Sequence, residues 1–327
     1  MPALRRCPDW SVVGACDPLA ERRRWMRGQL QDVPLFESVG DLLDGCRPDA
    51  ALVATPPSTH CEVVVRALEM GSAVLVEKPM ALSAADAETM RLTAQRVGKP
   101  LAVGFSRRCT RLYLELRRQL ALVPASDLRV IRSDLAGDAA AWQDVAGFLG
   151  DDRRGGGALD DLASHQLDLL PWLLGQRVRR VRAWPGSPIG TGWQRIAYEL
   201  EFDSGLVAFC SVAHGPGKER LQIELRDRHL VARGGRLFEL RRHPGAWARA
   251  YLRRVCDRAI GRRRATEDAV TPFVRQLRSF AAAAGSDDPR VDIADATSGV
   301  DAVRLVEACR RSLRSGGPWI GLESSSV

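Results

Sequence analysis

The stretch Ala73-Val74-Leu75-Val76-Glu77-Lys78-Pro79-Met80 decides the fold. Four apolar residues that deliver an acid, a base and a proline read as a strand buried on both faces, the pattern of an interior strand in a parallel sheet. Ligands of open α/β sheets bind beyond the carboxyl ends of the strands, so Lys78 is a candidate for proton chemistry at such a cleft. On these residues alone, a surface lysine closing a strand is the alternative.

The flanking residues supply the rest of the sheet. Ser11 to Cys16 reads as a strand ending at Asp17, Pro18 to Gly28 as a helix, Pro34 to Phe36 as a strand and Val39 to Cys46 as a helix. Ala50 to Ala54 is a strand that runs into Thr55-Pro56-Pro57, and Ser58 is placed to cap a helix that stops at Gly71. Ser83, with Asp86 three residues on, caps another helix, and Leu101 to Phe105 is a strand. This alternation predicts a doubly wound, Rossmann-like parallel sheet over residues 1–103.

From 104 to 327 the rhythm changes to that of an α+β domain with a mainly antiparallel sheet. A helix is expected over about 107–122 and a strand over 128–134, then a glycine turn, Gly155-Gly156-Gly157, opening a helix from Leu159 to Leu174. Arg195 to Phe202 and Leu206 to Val212 flank the hairpin turn Asp203-Ser204-Gly205, and Leu221 to Leu225 and Leu237 to Leu240 are further strands. Helices near 270–284 and 293–313 close the chain.

A chain of 327 residues with 45% hydrophobic content fits two domains. The net charge of +8 comes from arginines spread along the whole length, with few aromatics among them, which argues against a nucleic-acid surface. The runs Arg22-Arg23-Arg24 and Arg262-Arg263-Arg264 read as solvated faces. No long apolar run suggests a membrane span or signal peptide, and eight cysteines without a C-x-x-C pair form neither a metal site nor a disulfide framework. A soluble cytoplasmic protein is expected.

Asp161 and His165, four apart on the predicted helix, share one face. A carboxylate beside an imidazole orients it and stabilises its charged form, as a general base requires; an ordinary helical pair is the alternative. Asp160 and Asp168 read as solvent-facing or capping acids, with Leu162, Leu169 and Leu170 facing the core. His60 stands beside the Thr55-Pro56-Pro57 loop, where a cofactor or a simple helix-start contact would use it. His214 is placed in a loop, and neither His229 nor His243 has a partner in the sequence pattern. Trp142, Trp172 and Trp193 read as core or cleft-wall residues.

Together these segments resemble the Gfo/Idh/MocA oxidoreductases, the family of glucose-fructose oxidoreductase and inositol dehydrogenase. Ala50 to Pro57 with His60 looks like the family's fourth-strand loop, Val76-Glu77-Lys78-Pro79 like its Glu-Lys-Pro signature, and Val103 to Arg108 like the crossing between domains, with Ser106 where an asparagine is usual. Gly155 to His165 is similar to the helix carrying the catalytic Asp and His. The resemblance implies hydride transfer between NAD(P) and a hydroxyl or keto carbon of a sugar-like small molecule. In that reading His165 takes the alcohol proton, Asp161 orients His165, and Lys78 hydrogen-bonds the reacting oxygen. Asp17, Thr55, Pro56, Pro57, His60, Glu77, Lys78 and Arg107 fall on the cofactor side, with no metal ligand. An acid at position 17 favours NAD over NADP. A homodimer or homotetramer is expected from the resemblance, together with a sheet face in need of cover.

One departure stands out: no G-x-G-x-x-G lies near the start. A first strand and glycine loop, roughly 20–25 residues by the size of a βαβ unit, would precede Ala3 to Cys7, the strand lying between those that end at Asp17 and Ala54. We expect Met1 to be an internal methionine of a longer reading frame and this chain to bind NAD poorly. The alternative is a relative without a cofactor, using Lys78, Asp161 and His165 for elimination or cyclisation, or a protein that only binds a ligand.

Overall fold

The computed structural model describes residues 2–137, 157–186, 195–215, 217, 219–241, 267–285 and 293–322. Trp142, Trp193, His243, Gly155, Gly156 and the run Arg262 to Arg264 lie outside them. By contacts the chain divides into two units, Met1–Cys109 with Asp268–Val303, and Thr110–Glu267 with Arg304–Val327. The sequence places one boundary, at 103–104, whereas Asp268–Val303 returns to the first unit.

In the first unit the chain runs β1 (Ala15–Cys16), α1 (Ala20–Gln29), β2 (Leu35–Phe36), α2 (Val39–Cys46), β3 (Ala50–Val53), α3 (His60–Glu69), β4 (Ala73–Val76), α4 (Ala84–Val97) and β5 (Leu101–Val103). β4 is buried at all four residues, as its apolar run requires. It is paired on both edges: the amides of Ala73 and Glu77 donate to the carbonyls of Asp49 and Val53 beside β3, and Val74 donates to Pro100 beside β5. β3, β4 and β5 are mutually parallel. α4 begins at the expected capping box, where the Asp86 amide donates to Ser83 Oγ at 3.1 Å and Ser83 Oγ donates to Asp86 Oδ2 at 2.7 Å. The start of α3 differs from expectation. Ser58 caps nothing, because Pro57–Thr59 forms a 3-10 turn and the helix begins at His60.

The sheet of this unit is split. β1 pairs only with β2, and β3 only with β4, so among the described residues no strand stands between β1 and β3. The Ser11 to Cys16 strand accordingly shortens to Ala15–Cys16, the part that finds a ladder on β2. α2 spans the break, its Leu43 packing in the core that holds Val53 and its Cys46 thiol donating to the Val13 carbonyl. Leu52 on the open edge of β3 is 41% exposed. The unpaired groups on this edge of β3 therefore face solvent in part, which lowers their cost.

The second unit is built on an eight-stranded sheet. Its strands are β6 (Leu128–Gly137), β7 (Val178–Pro185), β8 (Arg195–Phe202), β9 (Val207–His214), β10 (Arg220–Leu225), β11 (Arg228–Arg233) and β12 (Arg236–Arg241), with the short β14 (Ile320–Gly321) at one edge; β13 (Ala294–Asp295) belongs to the first unit, antiparallel to β5. All pairings are antiparallel except β6 with β9. Gly205, at φ +79, makes the predicted β8–β9 hairpin turn. One face packs on α5 (Arg111–Leu120), α6 (Ser164–Leu174) and the second half of the last helix, through Leu116, Leu167, Tyr198, Val212, Ile223 and Leu305. α5 starts later than predicted because Ser106–Cys109 is a 3-10 turn and Thr110 is the cap. The two remaining helices are α7 (Thr271–Gly285) in the first unit and α8 (Ala296–Arg314), which contributes Val300, Ala302 and Val303 to the first core and Leu305, Val306, Ala308 and Cys309 to the second.

In the parallel ladder the odd-numbered residues of β3 face β4, so the amides of Ala50 and Leu52 point at the break. In native-state hydrogen exchange we expect the Leu52 amide to exchange at least tenfold faster than that of Leu75, whose strand is paired on both edges. Equal protection at the two would contradict the open edge.

Candidate active site

Lys78 leaves the carboxyl end of β4 between two structured neighbours. Before it, Glu77 is folded back so that the Lys78 amide donates to Glu77 Oε2 at 3.2 Å. Burial raises the Glu77 pKa, against the lowering effect of Lys78. Gly104 makes room for this carboxylate, since a Cβ at 104 would lie 2.9 Å from Glu77 Oε2. After it, a cis peptide joins Lys78 to Pro79.

His60 ties this turn to the Thr55 loop. Its ring is fully buried, with Nε2 2.8 Å from the Thr55 carbonyl and Nδ1 3.1 and 3.2 Å from those of Pro79 and Met80. Thr59 Oγ1 lies 2.9 Å from both Thr55 Oγ1 and the Pro56 carbonyl, donating to one and free to accept from the Thr55 hydroxyl. Thr55, Pro56, Pro57 and Lys78 thus sit in one braced pair of loops, which sequence spacing alone did not reveal. At the end of β1, Asp17 Oδ1 accepts from the Leu19 amide at 2.8 Å, and Arg22 stands 3.8 Å from Oδ2. Arg107 falls in the 3-10 turn after β5. Asp17, Thr55, Pro56, Pro57, His60, Glu77, Lys78 and Arg107 all belong to the first unit. No glycine-rich loop that could cradle a pyrophosphate is found among the described residues.

In the second unit one π turn, Leu159–Ala163, leads into α6. Such turns insert a residue into a helix and are frequent at functional sites. Asp161 lies in this turn and His165 on the first turn of α6. The Asp161 carboxylate accepts a hydrogen bond from His214 Nε2 at 3.1 Å. His214 is not a loop residue, as the sequence suggested, but the buried last residue of β9. Its partnership crosses from sheet to helix, which no sequence spacing could show.

Asp160 and Asp168 are not solvent-facing either. Both are buried, because this helix is enclosed on most of its surface, and a buried carboxylate needs a partner. Arg310 Nη2 on α8 donates to Asp160 Oδ2 at 2.7 Å. Gln166 is buried as well, its amide donating to Ser133 Oγ at 2.7 Å and its Oε1 accepting from Tyr198 at 2.5 Å. Leu162, Leu169 and Leu170 face the core as predicted, and Trp172 is buried under the Arg117 guanidinium. No three-residue His, Cys, Asp or Glu cluster suited to a metal occurs among the described residues, and none of their helices is long and apolar enough to cross a membrane.

The chain thus joins a split parallel sheet, whose buried strand leads into Glu77-Lys78-Pro79, to a mainly antiparallel sheet packed on the segment that carries Asp161 and His165. Comparisons with known proteins identify this combination. Residues 1–105 match the model described as the oxidoreductase family, NAD-binding Rossmann fold, and 114–226 match the GFO/IDH/MocA C-terminal domain, about two thirds of the chain together. The chain belongs to the Gfo/Idh/MocA family.

Among curated relatives, the rhizopine catabolism protein MocA of Rhizobium meliloti is 26% identical over 171 residues, 52% of this chain and 51% of that protein. The scyllo-inositol 2-dehydrogenase (NAD(+)) of Bacillus subtilis is 27% identical over 207 residues, 61% and 58% respectively. The chain thus aligns with little more than half of the length of these relatives. An oxidoreductase domain protein from Kribbella flavida shares the fold at TM-score 0.80, with 21% identity over 99% of this chain and 95% of that one. So does the WlbA dehydrogenase of Bordetella pertussis, solved with NADH and UDP-GlcNAcA, at TM-score 0.78, with 20% identity over 99% and 94%.

His60 gives a pH prediction. Burial holds its pKa below the ordinary 6.5, so the unfolded chain binds the proton more readily than the native one. The stability linked to a neutral His60 is complete above about pH 6.5 and is lost as pH falls toward the native pKa. Wild-type melting temperature should drop from pH 7 to 5 more steeply than that of His60→Gln; parallel profiles would contradict it.

Proposed function

We propose that this chain carries the acid-base machinery of a nicotinamide-dependent oxidoreductase acting on a secondary hydroxyl, or the matching ketone, of a sugar or cyclitol. The observation that carries the reading is the Asp161 carboxylate, held by His214 at the end of a strand and four residues from His165, in a chain whose other unit places Lys78 just beyond the buried strand β4. Relatives named as inositol dehydrogenases support the substrate class.

In this reading His165 accepts the proton of the substrate hydroxyl, Asp161 orients His165 and stabilises its charged form, and Lys78 donates a hydrogen bond to the reacting oxygen, lowering the pKa of the alcohol. The nicotinamide, when bound, supplies the hydride acceptor. Asp17, with lone pairs to spare beyond its bond from Leu19, would receive the ribose hydroxyls and repel a 2′-phosphate, so NAD is preferred over NADP. The first unit then serves the cofactor and the second the substrate.

Seven described cysteines are free thiols, which suits a reducing cytoplasm. The second sheet presents Arg180, Arg182 and Trp184 opposite Glu201, Glu199 and Ala197, with Phe209 beside them 43% exposed, on the face turned from its helices. We assign that face to a homodimer or homotetramer contact.

The test is turnover of a polyol panel at millimolar NAD+, with Lys78→Ala and His165→Ala beside the wild type. Each substitution should lower kcat by about 10²–10⁴-fold, the usual share of acid-base catalysis, with melting temperature little changed. An active double variant would refute the site.

A further inference from the structure

The bond between His214 and Asp161 goes beyond a pairing of helix neighbours. β9 ends at His214, which stands opposite Gly137 in the parallel β6–β9 register, and the Gly215 amide donates to the Gly137 carbonyl at 2.7 Å. At Gly137 a Cβ would lie 3.1 Å from Leu162 Cδ2, so the glycine lets the π turn settle directly on the ends of the two strands. This close approach brings Asp161 to the imidazole.

The chemistry of the pair is one-directional. An ionised carboxylate only accepts hydrogen bonds, so His214 Nε2 carries the hydrogen whether or not the ring is protonated. The imidazole is buried, with 7% of its side chain exposed, against 24% for Asp161. The rigid, enclosed partner therefore sets the orientation of the more exposed one. The bond engages Oδ2 of the carboxylate, at 3.1 Å.

We propose that His214 is a positioning residue of the acid-base site: it fixes the Asp161 carboxylate from the sheet, and through it the ring of His165. In that reading the three groups come from a strand end, a π turn and the first turn of a helix. This rests on the reading that Asp161 orients His165. It adds a residue whose removal would let the carboxylate swing into solvent, loosening the tautomer of the base without touching it.

The experiment uses the full chain labelled with 15N-histidine, in which long-range 1H–15N correlations report the tautomer of each ring. His214 should show the Nε2–H form and His165 a single tautomer. In His214→Leu the single-tautomer pattern of His165 should be lost. In His214→Gln, whose amide donates from a similar place, it should return. Asp161→Ala breaks the same bond from the more exposed side and should give the same loss, which covers the case of His214→Leu failing to fold. His165 signals that match the wild type in either folded variant would overturn the proposal, because a purely structural role for His214 leaves that ring undisturbed. The readout does not depend on turnover. A chain inactive on every polyol but showing this coupling would count against the oxidoreductase reading and leave the positioning role standing.

Discussion

Pairing of the β4 backbone on both edges is the constraint on which the first unit depends. With its amides shared between β3 and β5, the strand has one register, and the side chains that follow it emerge at one place. Lys78 is therefore delivered to the carboxyl end of a buried strand by groups that cannot be left unpaired. His60 then binds the Pro79–Met80 turn to the Thr55 loop. The same rule explains the weak part of the unit. β1 and β3 each have a ladder on one side only, and β1 keeps just two residues of strand.

The second unit holds its candidate base by different means. Asp160 to Arg310, Gln166 to Ser133 and Tyr198, and Asp161 to His214 all connect the helix of the site to neighbouring elements. Buried groups of this kind contribute little net stability but cost several kcal/mol when their partners are removed, so they specify one seating of the helix. The sheet, more than the helix on its own, sets the direction of the carboxylate at 161.

Much of this was legible in the sequence, for physical reasons. The apolar run 73–76 and the capping box at Ser83 depend on local periodicity and on groups three residues apart, and both were read correctly. So was the hairpin at Gly205, where a positive φ demands glycine. What escaped was non-local. His214 looked like a loop residue because its partner is 53 positions away, and Asp160 looked solvent-facing because Arg310 is 150 away. Ser58 had the right residue type for a cap, but the prolines before it favoured a 3-10 turn. The split of the sheet was expected from the missing glycine pattern; its open, partly solvated edge was not.

The central proposal is that the chain carries the acid-base residues of a nicotinamide-dependent oxidoreductase and that the break between β1 and β3 weakens its hold on a dinucleotide. The most direct test is NADH titration of this chain beside a version carrying, fused at its amino terminus, the first strand and glycine-rich loop of a family member. The account predicts weak binding to the first and at least tenfold tighter binding to the second, about 1.4 kcal/mol or more. Micromolar binding to the unextended chain, or no gain on extension, would contradict it.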